Sequence, residues 1–191
     1  MSDLKIISLL PAATEIVCAL GLEEKLIGRS HECDFPESVK QLPVCSSAKF
    51  LSGSDSAEID RQVKEILTGS LSIYSLDKNI IKELNPDIII TQAQCEVCAF
   101  SLKDVEEALS GLLENDCRII SLEPNSLADI YSDIQYIADQ LGVSEQGEEL
   151  LELADERINI IRHKLKFISE RPKVACIEWL SPLMVAGNWT P

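Results

Sequence analysis

The sequence is poor in basic residues. Its 191 residues include 17 Lys and Arg against 32 Asp and Glu, which gives a formal net charge of −15 at pH 7. A surface this acidic repels phosphate backbones, and no cluster of basic residues with interspersed aromatics offsets it. The composition therefore argues against nucleic acid and against anionic membrane surfaces as partners.

Long apolar runs and a recognisable export signal are also missing. No stretch reaches the roughly 18 consecutive apolar residues that a membrane-spanning helix needs, so we expect a protein that is not membrane-inserted. The N-terminal segment has no cationic region before its apolar run, and Pro11 interrupts that run early. From the absence of a signal peptide we expect a cytoplasmic location.

The common sequence signs of an enzyme site are absent as well. We find no GxSxG motif, no phosphate-binding glycine loop and no nucleophile–base pair at a recognisable spacing. We therefore expect a protein that is not an enzyme.

The seven cysteines are an odd number without the spacing of a disulfide framework, which fits a reducing compartment.

What is present is an alternation of apolar strands with helical patterns. The segments LKIISLL, KLIGRS, DIIIT and CRIISLEP predict buried strands, and Gly21 and Pro86 predict the ends of two intervening helices. Residues 43–57 are rich in Ser and Gly and predict a loop. Repeated βαβ units predict a mostly parallel, Rossmann-like α/β sheet with right-handed crossovers.

The character of the sequence changes after residue 125. Residues 126–142 predict one helix, and 144–170 carry an apolar stripe that predicts a long helix, stopped by Pro172. A new strand begins near Lys173, followed by a turn and a second short strand. We expect an N-terminal α/β lobe over 1–125, a helical linker over 126–171, and the beginning of a second α/β lobe over 172–191.

Polar turns follow the carboxyl ends of the predicted strands, where parallel sheets bind their ligands. These turns span residues 11–15, 30–34, 92–98 and 123–124. Because parallel strands point the same way, the turns should meet along one rim. Glu15 and Glu123 would suit a hydrolase as a carboxylate pair, but without a nucleophile we interpret them as helix-end or solvated acids.

Thiols at two of these turns support a second hypothesis. Cys95 and Cys98 form a CxxC pair just past one strand, and His31 and Cys33 follow another. The four side chains have the ligand types of a Cys₃His zinc site, and the thiols alone have those of a redox pair. Reduced thiols that simply line the rim are the alternative. The hypothesis is a cytoplasmic thiol-based metal-binding or redox protein.

Four segments carry a resemblance to a known family: IISLLPAATEIVCALG, LIGRSHECDFP with the LPV that follows, IKELNPDIIIT, and RPKVACIEWLSPLMVAGNWTP. In order and spacing they resemble the substrate-binding proteins of ABC importers for cobalamin and ferric chelates, the helical-backbone metal-receptor group. The closest likeness is to a cobalamin-binding branch without a secretion signal, here as a truncated chain.

The resemblance implies two α/β lobes joined by one long rigid helix. A ligand, cobalamin or a ferric chelate, would lie in the cleft between the lobes, no cofactor would be required, and an ABC permease would be the partner. A chain with only half of the cleft should hold its ligand weakly, because pockets bind small molecules by burying most of their surface.

The rim and the resemblance together define the expected ligand contacts. His31 matches the position of an aromatic contact in cobalamin-binding relatives, and Asp34 with Phe35-Pro36 matches the family's Asp-aromatic-Pro turn. Asp34 has a second interpretation, as the cap of the next helix. The expected contacts are Pro11, Ala12, Thr14, Glu15, Ser30, His31, Glu32, Asp34, Gln92, Gln94, Glu96, Glu123, Trp179 and Trp189.

Asp77 has two interpretations. It lies early in the predicted helix DKNIIKEL, with Ser75 as the expected N-cap. By resemblance it matches an acidic residue that docks on basic residues of the permease. The alternative is an acid favourably placed at a helix N-terminus, where the helix dipole stabilises negative charge.

Overall fold

A computed structural model describes residues 4–50, 55–69, 73–92, 105–106, 109, 117–170 and 172–186. Its strands are β1 Ile6–Ser8, β2 Leu26–Arg29, β3 Ser46–Ala48, β4 Tyr74–Leu76, β5 Ile88–Gln92, β6 Arg118–Leu122, β7 Ile177–Leu180 and β8 Leu183–Val185. The α-helices within these ranges are α1 Pro11–Ala19, α2 Ser56–Gly69, α3 Lys78–Leu84, α4 Leu127–Leu141 and α5 Ser144–Leu165.

The main sheet is parallel, in the order β2-β1-β5-β6. Its strands are apolar on both faces because both faces are covered by helices. On one face Ile90 and Ile120 pack with Val17 of α1 and Ile137 of α4. On the other face Ile89 packs in a cluster that includes Ile81 of α3. The predicted α/β fold with a parallel sheet is confirmed.

The stop signals of α1 and α3 behave as predicted. Pro11 occupies the first turn of α1, where its missing N–H costs nothing, and Gly21 follows the helix with a φ of 76°. After α3, Asn85 takes the left-handed conformation and Pro86 follows it. Both helices therefore end where the chain must turn into the next strand.

The loop predicted over residues 43–57 is partly wrong. Ser46–Ala48 forms β3, which pairs antiparallel with β4 in a small separate sheet. Ser75 lies in β4 and is not the expected helix cap, since Asp77 is the N-cap of α3. A Ser-Ser-Ala strand has no apolar pattern of its own, and only pairing with a distant segment reveals it.

The long helix α5 is confirmed, but it ends at Leu165 instead of continuing to residue 170. Its 22 residues span ~33 Å. At the start of α5, Gly147 lies against Ala138 of α4, and Leu150 packs on the core. Further along, Leu153, Ile161 and Leu165 are 57%, 57% and 51% exposed.

The hairpin β7–β8 follows after residues 172–176. Most of its apolar side chains are exposed, and Leu180 is 76% exposed. The Trp179 indole N–H donates to the Ser56 carbonyl oxygen at the start of α2, at 3.0 Å. The division into lobes at residues 125 and 171 stays a prediction. Within the described ranges, no helix is both long enough and apolar enough to cross a membrane.

Candidate functional site

The carboxyl ends of the parallel strands meet at one edge of the sheet. The Ser30 N–H, just past β2, donates to the Ser8 carbonyl at 2.9 Å, and the Leu9 N–H donates to the Ile90 carbonyl at 2.8 Å. Leu122, the last residue of β6, pairs with Gln92 of β5. The described parts of the four predicted turns therefore follow strands that end side by side.

Hydrogen bonds from buried and half-buried polar groups fix the position of the turn at residues 30–34. The Thr14 hydroxyl contacts the Cys33 sulfur at 3.0 Å, and the Ser30 hydroxyl lies 3.3 Å from the same sulfur. The Arg29 guanidinium donates to the carbonyls of Ser30 and Cys33 at 3.0 and 2.9 Å. These bonds fix the turn to α1, so the polar atoms of Thr14, Ser30 and Cys33 already have partners within the chain.

His31 belongs to this turn and forms hydrogen bonds with Ser46 of β3. Its Nδ1 lies 2.8 Å from Ser46 Oγ, and its backbone N–H donates to the same oxygen at 3.1 Å. Its Nε2 is buried, lies 3.9 Å from Glu32 Oε1 and has no hydrogen-bond partner among the described residues. Burial lowers the pKa of His31 below its ordinary value, although Glu32 opposes this shift. The imidazole is therefore neutral near pH 7.

The Tyr74 ring adjoins His31, and the Phe50 ring adjoins Tyr74. The Tyr74 ring centroid lies 5.1 Å from that of His31, and the Phe50 centroid lies 6.2 Å from that of Tyr74. The Tyr74 hydroxyl donates to Glu32 Oε1 at 3.2 Å. Sequence reasoning missed Ser46, Phe50 and Tyr74 because β3 and β4 were not recognised. The apolar–polar alternation around IYSL was the available signal.

The remaining predicted contacts differ in their exposure. In the first turns of α1, Pro11 is half-buried while Ala12 and Glu15 are exposed. Glu32 and Glu123 are exposed, and Gln92 is half-buried. Trp179 bonds to α2 as described above. For each of these residues a role in ligand binding stays a prediction.

The capping interpretation of Asp34 is wrong. The next helical segment, a 3-10 helix over Glu37–Gln41, begins after Pro36 and has no side-chain cap hydrogen bond. The carboxylate of Asp34 is exposed on the turn that carries His31. Because Pro36 precedes the helix in an extended conformation, Asp34 lies too far upstream to reach the first helical N–H groups. Contact with a ligand stays as its predicted role.

The thiol hypothesis gains no support from the described residues. Gln94, Cys95, Glu96, Cys98 and Trp189 lie outside them, so the Cys₃His set with His31 and Cys33 stays a prediction. Among the residues that the structure does describe, no three His, Cys, Asp or Glu side chains are grouped so as to hold a metal ion. Burial raises the pKa of Cys45 to about 11, so that thiol is protonated at neutral pH and is not a ready ligand.

Asp77 is the N-cap of α3. Its Oδ1 accepts hydrogen bonds from the backbone N–H groups of Asn79 and Ile80, both at 3.0 Å. The interpretation as an acid that stabilises a helix N-terminus is confirmed. Docking on a permease stays a prediction, and the exposure of Asp77 is compatible with it.

We expect Asp77→Ala to lower the free energy of unfolding by about 1 kcal/mol, because two helical N–H groups lose their acceptor. Asp77→Asn keeps a capping oxygen and should stay within about 0.5 kcal/mol of the wild type. Urea denaturation followed by circular dichroism measures both. An equal loss in the two variants would contradict the capping role.

The chain belongs to the periplasmic binding protein family, whose model matches residues 6–190. It is 24% identical over 187 residues to the vitamin B12-binding protein of Yersinia pestis (strain Pestoides F), covering 97% of this chain and 54% of that protein. It is 22% identical over 180 residues to the uncharacterized ABC transporter substrate-binding lipoprotein YvrC of Bacillus subtilis (strain 168), covering 93% and 47%. The chain thus spans about half the length of these curated relatives.

Solved structures share the fold. The periplasmic heme-binding protein RhuT from Roseiflexus sp. RS-1 matches with a TM-score of 0.63 and 23% identity, covering 92% of this chain and 55% of that one. The periplasmic vitamin B12-binding protein BtuF of Vibrio cholerae matches with a TM-score of 0.60 and 21% identity, covering 95% and 58%. The predicted resemblance to substrate-binding proteins of this type is confirmed.

The predicted cytoplasmic location is wrong. The family is described as periplasmic binding proteins, and the Bacillus relative is a lipoprotein. The prediction depended on the few residues before β1 and on the cysteine content. Neither of these identifies the family, whereas the family model matches residues 6–190.

Proposed function

We propose that this chain binds a chelated metal of the corrinoid or haem type at the rim of its parallel sheet, as the substrate-binding component of an ABC importer and without catalysing a reaction. The observation that carries the proposal is the cluster of His31, Tyr74 and Phe50 beside the strand ends. Family membership and the relatives' printed ligands, vitamin B12 and heme, support the class of ligand.

The cluster suits a flat macrocycle for a physical reason. Corrin and porphyrin rings present broad apolar faces, which stack favourably on aromatic side chains. The rings of His31 and Tyr74 are tilted by 57° to each other, so they provide a face and an edge rather than one plane. Glu32, bonded to the Tyr74 hydroxyl, places an exposed carboxylate at the same end of the cluster.

The polar residues around the rim would orient the periphery of the ligand. Asp34, Gln92 and Glu123 carry carboxylates and an amide that would accept hydrogen bonds from the amide side groups of a corrinoid. Trp179 of the β7–β8 hairpin would be a further contact, and Trp189 stays a predicted contact. We extend the proposal to an ABC permease as partner, with Asp77 as a docking residue in addition to its role as a cap.

A titration with cyanocobalamin and with haemin, followed by visible absorption, tests the proposal on the 191-residue chain. His31→Ala and Tyr74→Ala should each weaken binding by about tenfold, since each removes one aromatic contact. His163→Ala is the matched control, because His163 is the other histidine and lies exposed on α5. Its affinity should equal that of the wild type.

Two results would overturn the proposal. The first is a wild-type chain that binds neither probe at millimolar concentration. The second is a loss of affinity that is the same in His31→Ala and His163→Ala, which would show binding away from the rim. Circular dichroism of each variant confirms that the compared proteins are folded.

A further inference from the structure

The four polar turns of the rim are acidic. In sequence they read PAATE at 11–15, SHECD at 30–34, QAQCEVC at 92–98 and EP at 123–124. Together they supply five carboxylates and contain neither Lys nor Arg. The acids are Glu15, Glu32, Asp34, Glu96 and Glu123. Because the turns meet at one edge of the sheet, we expect their negative charges to act on the same ligand.

One of these carboxylates is held directly beside the aromatic cluster. The Oε1 atom of Glu32 accepts the Tyr74 hydroxyl at 3.2 Å and lies 3.9 Å from His31 Nε2. Glu15, Glu32, Asp34 and Glu123, the four acids of the rim that the structure describes, are all exposed. Negative charge therefore lies next to the rings that would stack on a macrocycle.

The basic side chains beside the turn at residues 30–34 do not cancel this charge. Arg29 precedes the turn, but its guanidinium donates to three backbone carbonyls at 2.9, 3.0 and 3.3 Å. Lys40 contacts the carboxylate of Glu37 at 2.8 Å. Lys49 is exposed next to Phe50 and adds one positive charge. Two positive charges, from Arg29 and Lys49, against five carboxylates still leave the rim negative.

The two ligand classes of the proposed function differ in the chemistry of their periphery. A corrinoid presents amide side groups, whose N–H groups donate hydrogen bonds that carboxylates accept. A haem-type porphyrin presents carboxylates, which are ionised at neutral pH. Carboxylates that approach one another at a binding site repel, and like-charge contacts across an interface exclude the wrong partner. An acidic rim therefore favours the first periphery and opposes the second.

We propose that the acidic rim makes this chain selective for macrocycles with an amide periphery, the corrinoids, over macrocycles with a carboxylate periphery, such as haem. This inference rests on the proposed function and names the substrate class of the same site. The rings of His31, Tyr74 and Phe50 offer stacking area to either macrocycle, so the charge of the rim decides between them. Specificity is then achieved by repelling the wrong ligand as well as by binding the right one.

The first test compares two probes that differ only in their side groups. Dicyanocobinamide and dicyanocobyrinic acid share the corrin ring, the cobalt and the cyanide ligands, but the first carries amides where the second carries carboxylates. Isothermal titration calorimetry of the 191-residue chain at neutral pH should give an affinity for dicyanocobinamide at least about 10-fold higher. Equal affinities, or tighter binding of the acid, would overturn the inference and leave the proposed function standing.

The second test separates the charge of the rim from the net charge of the chain. Glu32→Gln and Asp34→Asn each remove one rim charge and keep the size of the side chain. Each should lower the ratio of the two affinities about threefold, because one repulsive contact with the acid is lost. The matched control is Glu23→Gln, which removes the same charge before β2, at the opposite edge of the sheet. Its ratio should equal that of the wild type.

The outcomes distinguish this inference from the proposed function. A ratio that falls equally in Glu23→Gln and Glu32→Gln would show that only the net charge acts, and the selective rim would be rejected. A wild-type chain that binds neither probe at millimolar concentration contradicts the proposed function, and the inference with it. Circular dichroism confirms that each variant is folded.

Discussion

Ile90→Ala should lower the free energy of unfolding by about 4 kcal/mol, the largest effect that we expect from a single substitution. Ile90 lies in β5, at the centre of the parallel sheet, and its exposed fraction is 0%. It belongs to the cluster that joins the sheet to α1 and α4. Removing three carbons there leaves a cavity that the surrounding strands and helices can fill only partly.

Urea unfolding measures this effect as a shift of the transition midpoint at constant slope. The matched control is Ile160→Ala on α5, where the same side chain is 47% exposed. That control should change the free energy of unfolding by no more than about 0.5 kcal/mol. The Ile160 side chain buries little apolar area in the folded chain, and alanine has a high helix propensity. An equal decrease in the free energy of unfolding of the two variants would contradict a buried position of Ile90 in the core.

Gly28→Ala should lower the free energy of unfolding by about 2 kcal/mol, because it adds a methyl group where the core has no room for one. Gly28 lies in β2, and a Cβ at this position would stand 2.7 Å from Cys45 Sγ and 2.9 Å from Leu84 Cδ1. Real Cβ atoms do not approach other heavy atoms so closely, so the side chains of Cys45 and Leu84 must shift. The backbone at Gly28 is ordinary strand; what the position requires is the absence of a side chain.

A double-mutant cycle with Cys45→Ala identifies the steric cause. Cys45→Ala removes the atom nearest to the new methyl group, so the loss in the double variant should be smaller than the sum of the two single losses by about 1 kcal/mol. Strict additivity would contradict a clash with the sulfur. Thermal or urea unfolding of the four proteins is sufficient to decide.

The parts of the fold that could be predicted are those with a local cause. The strands β1, β2, β5 and β6 are short apolar runs, and Gly21 and Pro86 mark helix ends through their own backbone preferences. Parallel pairing follows from the intervening helices, because a right-handed crossover returns each strand in the same direction. The meeting of the polar turns at one edge follows from the same geometry.

Only part of the candidate site could be predicted from the sequence. His31 was found because it follows an apolar strand, but its partners Ser46 and Tyr74 come from a sheet whose two strands are far apart in sequence. The strand β3, Ser-Ser-Ala, has no apolar pattern of its own, and its pairing with β4 depends on contacts that no local pattern contains. The anchor formed by Thr14 and Cys33 was missed for the same reason, since it joins α1 to the turn after β2.

The uncovered apolar side chains of α5 affect how the protein behaves in solution. Leu153, Ile161 and Leu165 are exposed, and we expect the formal net charge of −15 to oppose contact between neighbouring molecules there. This repulsion reaches about 10 Å at 0.1 M salt but only about 3 Å at 1 M. We therefore expect added salt to favour association between molecules of the chain.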